Sequence, residues 1–313
     1  MKDLLRTADL SRADVELLLS TAAEFAKDPL RSSTALANRT VAIYMTKPST
    51  RTRLASETAV VHLGGAPIFI RGDDLQLGRG ESISDTAQVM SQFASAVVIR
   101  TFAQSDVDEL GRSASIPIIN ALTDADHPTQ LLADWLTIRE TFGEDISGRK
   151  FTYIGDGNNM SHAWLIMGAI MGAHVVAATP SGTWAPNPEV VAQAKKIAEK
   201  SGAIVEVIHD PEVAAKDASV LYTDVWMSMG DPESEKMEKS KALSLFAVDA
   251  HLMSLTANDS IFLHCLPAHR GEEVSAEVID GPKSLIWREA FHRRTTIQAL
   301  LYHLVRGEIK GNL

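Results

Sequence analysis

Short apolar runs recur along the chain at intervals that suit strands alternating with helices. In the first half they are TVAIYM (40–45), APIFI (66–70), AVVIR (96–100) and IPIIN (116–120). A second series follows with KFTYIG (150–155), AHVVAAT (173–179), AIVEVI (203–208), SVLYT (219–223), SIFLHC (260–265) and SLIW (284–287). These runs are rich in β-branched residues and read as buried strands. The stretches between them carry apolar residues at helical spacing, as in SDTAQVMSQFA (84–94) and HPTQLLADWLTIRETFG (127–143), with an opening helix near 10–26 and a closing one over 289–306. GEDISGRK between the two series reads as a polar joint. Strands alternating with helices, twice over, predict an α/β protein of two doubly wound parallel-sheet domains.

In such sheets ligands lie outside the carboxyl ends of the strands, and the unusual residues of this chain fall there. TKPSTRTR (46–53) follows the first strand, Arg100 ends AVVIR, and DADHPTQ (124–130) follows IPIIN. In the second half, GDGNNMSH follows FTYI, DVWMSMG (224–230) follows VLYT, and CLPAHRGEE follows SIFLH. A cleft between the two domains, lined by these loops, is the expected site.

Lys47, Arg51, Arg53, Arg100 and His127 all belong to the first half. Alone, each arginine reads as a surface ion-pair partner. Grouped on neighbouring strand ends beside Ser49, Thr50 and Thr52, at a helix start, they predict a site for a phosphate-bearing ligand. His127 has a plainer alternative as the cap of a helix beginning at Pro128. YIGDGNNM lacks the third glycine of a dinucleotide fingerprint, since Met160 stands there, which argues against NAD. Asp224 reads either as a turn cap or as an acidic group for a substrate ammonium. Cys265 reads as packing or as a nucleophile.

Composition narrows the classes. The chain has 313 residues, 45% hydrophobic and 22% charged, and a formal net charge of -10, which disfavours a general nucleic-acid binder. No apolar stretch reaches the length of a membrane span and the first residues lack a signal-peptide core, so no membrane association is expected. The single cysteine excludes an intrachain disulfide and suits a reducing cytoplasm. The histidines carry no HExxH, and with no CxxC a metal site has little support.

KPSTRTR, LGRGESISDTAQV, HPTQ, GDGNNM, DVWMSMG and HCLPAHRGEEV, in this order and over essentially the whole chain, resemble the ornithine carbamoyltransferases of the aspartate/ornithine carbamoyltransferase family. The resemblance implies a carbamoyl-phosphate domain (1–142, joined by a C-terminal helix over 289–313), an ornithine domain (143–288), and a homotrimer with active sites near subunit interfaces. It implies transfer of the carbamoyl group of carbamoyl phosphate to the δ-amine of L-ornithine, giving citrulline and phosphate in arginine metabolism, with no metal or redox cofactor. Carried onto matching positions, Ser49, Thr50, Arg51 and Thr52 become the phosphate cradle, completed by Gln76 and Arg100. His127 and Gln130 would hold the carbamoyl group beside Cys265 and Leu266, with Arg293 reaching in from the last helix. Asn159, Asp224, Ser228 and Met229 become the ornithine contacts. The residues given a catalytic part are Arg51, Arg100, His127 and Cys265.

The rivals are carbamoyltransferases for aspartate, putrescine or an acylated ornithine, and a catalytically silent sensor of a phosphate ligand. An aspartate enzyme would read its substrate with basic residues, against Asp224. A silent sensor has no need of the intact cationic set.

Overall fold

The computed structural model describes residues 1–75, 80–227 and 232–311. The chain forms two compact units, Met1–Leu136 with Phe291–Leu313, and Thr137–Ala290. The division falls within two helices, Pro128–Phe142 and Ile286–Arg306.

The first unit is built on four parallel strands, β1 (Thr40–Met45), β2 (Ala66–Arg71), β3 (Val97–Arg100) and β4 (Ile118–Leu122), in the order β2-β1-β3-β4. β3 and β4 are buried at every position and β1 at all but its first, as expected of strands covered on both faces. β2 is an edge strand, half open to solvent, which is where Pro67 and its missing N–H are tolerated. The far edge, β4, is partly covered by the N-terminal segment. Leu4 donates its N–H to the Ile118 carbonyl at 2.9 Å and accepts from Asn120 at 2.8 Å.

The second unit has five parallel strands, β5 (Lys150–Ile154), β6 (His174–Ala178), β7 (Ile204–Ile208), β8 (Ala218–Thr223) and β9 (Ile261–His264), in the order β7-β6-β5-β8-β9. Ile154, Val176, Leu221 and Phe262 form its core with Trp226, Leu243 and Phe246. Strand order reverses between β1 and β3 in one sheet and between β5 and β8 in the other. Those reversals open the crevices where doubly wound sheets receive ligands. The α/β class and the two parallel sheets are as the sequence predicts.

One predicted strand is not formed. In SLIW, Ser284 makes only an isolated bridge to Phe262, and Ile286 begins the last helix, which therefore starts three residues earlier than expected. Ile286 is buried in the core of the second unit from its place in a helical turn. Four apolar residues do not distinguish a strand from a buried helix start.

Candidate active site

The first unit gathers its cations at the β1/β3 reversal. Ser49 ends the turn after β1 and caps the helix Thr50–His62, its hydroxyl accepting the Thr52 N–H at 3.3 Å. That fixes Thr50, Arg51 and Thr52 on a first helical turn whose free N–H groups and dipole favour an anion. Arg100, buried at the end of β3, donates Nε to the Lys47 carbonyl at 3.2 Å. Arg293 is buried on the last helix. It donates one guanidinium N–H to Gln130 Oε1 and another to Thr52 Oγ1 at 3.2 Å, while Gln130 donates to Asp134 at 2.8 Å. Arg293, Thr52 and Gln130, far apart in sequence, thus form one hydrogen-bonded group. Arg51 makes no ion pair or side-chain hydrogen bond among the described residues. It is an uncommitted fork beside a helix N-terminus.

Two residues of the predicted constellation are engaged elsewhere. Arg53 pairs with Glu57 at 2.9 Å and lies 3.8 Å from the Phe69 ring centroid, because a residue two places from Arg51 in a helix faces another way. Lys47 is buried with its ammonium 2.7 Å from Asp124, which balances its charge. Its adjacent Asp124 was overlooked in the sequence, although it lies in the same DADHPTQ stretch.

His127 stands at the start of the helix Pro128–Phe142, so it occupies the cap position as well as the cationic cluster. Burial, then the charges of Arg293, Arg100, Arg51 and Lys47, push its pKa well below the ordinary imidazole value. The ring is therefore neutral at working pH, with one N–H to donate to a carbonyl oxygen. The unfolded chain protonates this histidine below about pH 6.5, while the folded one does not, so His127 removes stability as pH falls below that value, by up to about 1.4 kcal/mol per pH unit. Neighbouring Asp126 acts the other way. Burial raises its carboxyl to about 6, so between about pH 4 and 6 the folded state holds the extra proton and stability falls as pH rises. His127→Gln is expected to lose less stability than the parent on acidification from pH 7 to 5, read as urea midpoints. Parallel curves would contradict the buried neutral imidazole.

The second unit places its polar groups at the β5/β8 reversal. Asn158 caps the helix Asn159–Met171, accepting the Met160 N–H at 2.9 Å, and its amide donates to Asp224 Oδ2 at 3.1 Å. A Cβ on Gly157 would lie 2.2 Å from the Ala185 carbonyl carbon, so the turn requires glycine there. Asp224 Oδ1 accepts from the Val225 N–H at 2.8 Å and from the Cys265 thiol at 2.9 Å. Asp224 is thus both a turn-stabilising group and a buried acid. Asn159 is buried at the start of the same helix that Asn158 caps. Leu266 has φ +58, a costly conformation for a branched side chain. Its N–H is donated to His264 Nδ1 at 2.8 Å, which leaves the hydrogen of this buried ring on Nε2, facing Glu273 at 3.3 Å. The donor atoms of Asp224, His264 and Cys265 lie within 4.8 Å of one another, but the thiol and the imidazole are already joined to Asp224, Leu266 and Glu273.

Gln76, Ser228 and Met229 lie outside the described residues. Asn158, read from the sequence as a turn residue whose amide suits a small polar ligand or the turn itself, serves the turn as a helix cap. Sequence reading missed the buried pair Asp156–Lys239 at 2.7 Å, and it gave no role to Glu273 although that residue lies in the quoted CLPAHRGEE stretch.

One unit thus offers a cationic, anion-favouring strand-end site and the other a buried, hydrogen-bonded carboxylate. Residues 2–140 match the family described as aspartate/ornithine carbamoyltransferase, carbamoyl-P binding domain, and residues 147–304 match its Asp/Orn binding domain. The chain belongs to the aspartate/ornithine carbamoyltransferase family. It is 46% identical over 305 residues to an ornithine carbamoyltransferase of Acidothermus cellulolyticus, covering 97% of each chain. It is 47% identical to that of Anoxybacillus flavithermus, covering 97% of this chain and 96% of the relative. Among solved structures, the ornithine carbamoyltransferase of Pyrococcus furiosus matches with a TM-score of 0.92 at 44% identity, over 99% of this chain and 98% of the other.

Proposed function

We infer that this chain transfers the carbamoyl group of carbamoyl phosphate to the δ-amine of L-ornithine, forming L-citrulline and phosphate. Two observations carry the reading: a cluster of cations at the β1/β3 reversal of one unit, in which Arg51 makes no ion pair among the described residues, and a buried carboxylate, Asp224, at the β5/β8 reversal of the other. A substrate with two anionic oxygens suits the first, and one with a cationic ammonium suits the second.

The Ser49–Thr52 turn, Arg51 and Arg100, with Gln76, bind the phosphate. His127, Gln130 and Arg293 hold the carbamoyl group, with Cys265 and Leu266 beside it. Asn159, Asp224, Ser228 and Met229 bind ornithine. The neutral δ-amine donates its lone pair to the carbamoyl carbon, the carbonyl electrons move onto oxygen, and the tetrahedral intermediate collapses with cleavage of the carbon–oxygen bond to phosphate, which takes up the proton that the attacking nitrogen must lose. Arg51, Arg100 and the His127 N–H meet the charge that develops on carbonyl and phosphate oxygens. Holding both substrates together supplies the entropic part of the rate. The fixed arginines cannot serve as a base, so the amine must arrive neutral.

Cys265 acts as a donor to Asp224, not as a nucleophile. A serine hydroxyl can make the same bond, so Cys265→Ser is expected to keep at least about a tenth of the turnover, a loss under about 1.4 kcal/mol. Mass spectrometry during turnover should find no carbamoylated thiol, and its detection would replace the direct attack with a two-step route.

The chain works in the cytoplasm as a homotrimer on this reading. No helix among the described residues is long and apolar enough to cross a membrane, and exposed Leu54, Val61, Val89 and Phe93 offer apolar surface on the first unit for subunit contact. The deciding assay is citrulline formation from carbamoyl phosphate with ornithine, set beside putrescine, acetylornithine and aspartate under the same conditions. Faster product formation with any of the other three would displace ornithine.

A further inference from the structure

Asp126 is a buried carboxylate that the mechanism above does not use. Its partners come from opposite directions. Oδ2 accepts the Thr7 N–H at 2.6 Å, and Oδ1 accepts both the Thr7 hydroxyl at 2.7 Å and the His127 N–H at 2.7 Å. Thr7 is fully buried and begins a short helical turn, Thr7–Asp9, at the end of the N-terminal segment that Leu4 fastens to β4. From below, the Asp126 backbone is held by Thr123, whose hydroxyl accepts the Asp126 N–H at 3.2 Å and whose N–H is donated to the Asp126 carbonyl at 2.9 Å. The other charges facing this carboxylate are Asp9 and Arg6, and Arg6 is itself paired with Asp108 at 2.6 Å.

His127 needs such a hold. Its Nδ1 is buried without a hydrogen-bond partner among the described residues, so no polar contact there orients the ring. The cations around it would repel a protonated ring and do not hydrogen-bond to it as donors or acceptors of fixed geometry. What fixes its backbone from the N-terminal side is the Asp126 carboxylate, charge-assisted and clamped by Thr7.

We propose that Asp126 is a positioning residue for His127, and that the N-terminal segment, through Thr7, is thereby a working part of the carbamoyl-phosphate site. The inference rests on the assignment of His127 to that site. A small displacement of a donor aimed at a reacting oxygen is costly to rate, because preorganised donors act only within hydrogen-bond reach. The carboxylate suits this task because all three donors point into it. An amide in its place must turn an NH₂ group towards at least one N–H.

The test uses the full-length protein with three variants: Asp126→Asn, Thr7→Val and Thr7→Ser. Carbamoyl-phosphate affinity is measured by calorimetry and turnover by citrulline formation. Norvaline, which lacks the δ-amine, is then titrated at saturating carbamoyl phosphate. Asp126→Asn is expected to weaken carbamoyl phosphate at least about tenfold, and Thr7→Val about threefold or more. Thr7→Ser, which keeps the hydroxyl, should match the parent, and norvaline affinity should change little in any of them. The double variant Asp126→Asn with Thr7→Val should be no worse than Asp126→Asn alone, because both act through one carboxylate. Carbamoyl-phosphate affinity and turnover unchanged in the Asp126 and Thr7→Val variants, or equal losses for both ligands, overturn the inference. If Asp126→Asn does not fold, Thr7→Val and Thr7→Ser decide: equal affinities in the two overturn it, and a loss confined to Thr7→Val supports it. A parent protein that fails to bind carbamoyl phosphate removes the assignment of the site itself.

Discussion

Replacing Arg51 with alanine is expected to lower kcat/KM by about a hundredfold to a thousandfold while leaving the thermal midpoint within a few degrees of the parent. The magnitude is that of removing one preorganised donor from a developing oxyanion, about 2.7–4 kcal/mol. The unchanged stability follows from the surroundings of the side chain. Arg51 forms no ion pair or side-chain hydrogen bond with any described residue and is not part of the buried core. Its helix is capped by Ser49 and not by the arginine, and alanine is the better helix former. Arg53→Ala gives the internal comparison. Its guanidinium is spent on Glu57 and the Phe69 face, so its loss should affect turnover far less. The measurement is steady-state citrulline formation with carbamoyl phosphate varied at saturating ornithine, run beside thermal unfolding. Near-parental turnover in Arg51→Ala, or equal losses in the two variants, would take Arg51 out of the site.

The contrast between Arg51 and Arg53 also marks how far the sequence could be read. That cations cluster after β1 was legible, because a strand, a hydroxyl-rich turn and a helix start each leave a local signature. The resemblance singled out Arg51 for the phosphate cradle, while the spacing of KPSTRTR alone did not separate it from Arg53, although Glu57 four residues after Arg53 offered the clue of a helical ion pair. The fully buried strands announced themselves as apolar runs, and the edge strand β2 did so nearly as well. SLIW did not, because in a four-residue run neither period can be counted, and the answer lay in the place of Ile286 within the core of the second unit. Asp224 was visible by its place at a strand end. Its fixing by Asn158 and Cys265 was not, since those partners are 66 and 41 residues away. The link from Asp126 to Thr7 spans 119 residues. Local patterns specify elements and their ends, and the orientation of a functional side chain depends on partners that only the tertiary fold brings together.

Asp224→Asn is expected to weaken ornithine binding at least about tenfold and leave carbamoyl-phosphate binding nearly unchanged. Ornithine carries two ammonium groups and one carboxylate. Only the δ-nitrogen reacts, so the α-ammonium requires an acceptor that holds it in place. A carboxylate has about four acceptor positions. In Asp224, Oδ1 already takes the Val225 N–H and the Cys265 thiol, and Oδ2 takes the Asn158 amide. Among the described residues, one position on Oδ2 is left for an incoming N–H. The three existing donors keep the carboxylate oriented before substrate arrives, so little is lost in ordering it on binding. Asparagine preserves the shape but removes the charge, and it must present an NH₂ to one of those donors or to the ammonium. The loss of a charge-assisted hydrogen bond is worth roughly 1.5–3 kcal/mol, and each tenfold in affinity corresponds to about 1.4 kcal/mol. The residues proposed to bind carbamoyl phosphate belong to the other compact unit, apart from Cys265 and Leu266, and this is why that ligand should be nearly indifferent. Norvaline keeps the α-ammonium and cannot react, so its titration at saturating carbamoyl phosphate isolates this contact. If norvaline binds Asp224→Asn as tightly as the parent, or carbamoyl phosphate weakens by the same factor, Asp224 is not the ammonium anchor. The choice among ornithine, putrescine and acetylornithine would then have to rest on other residues.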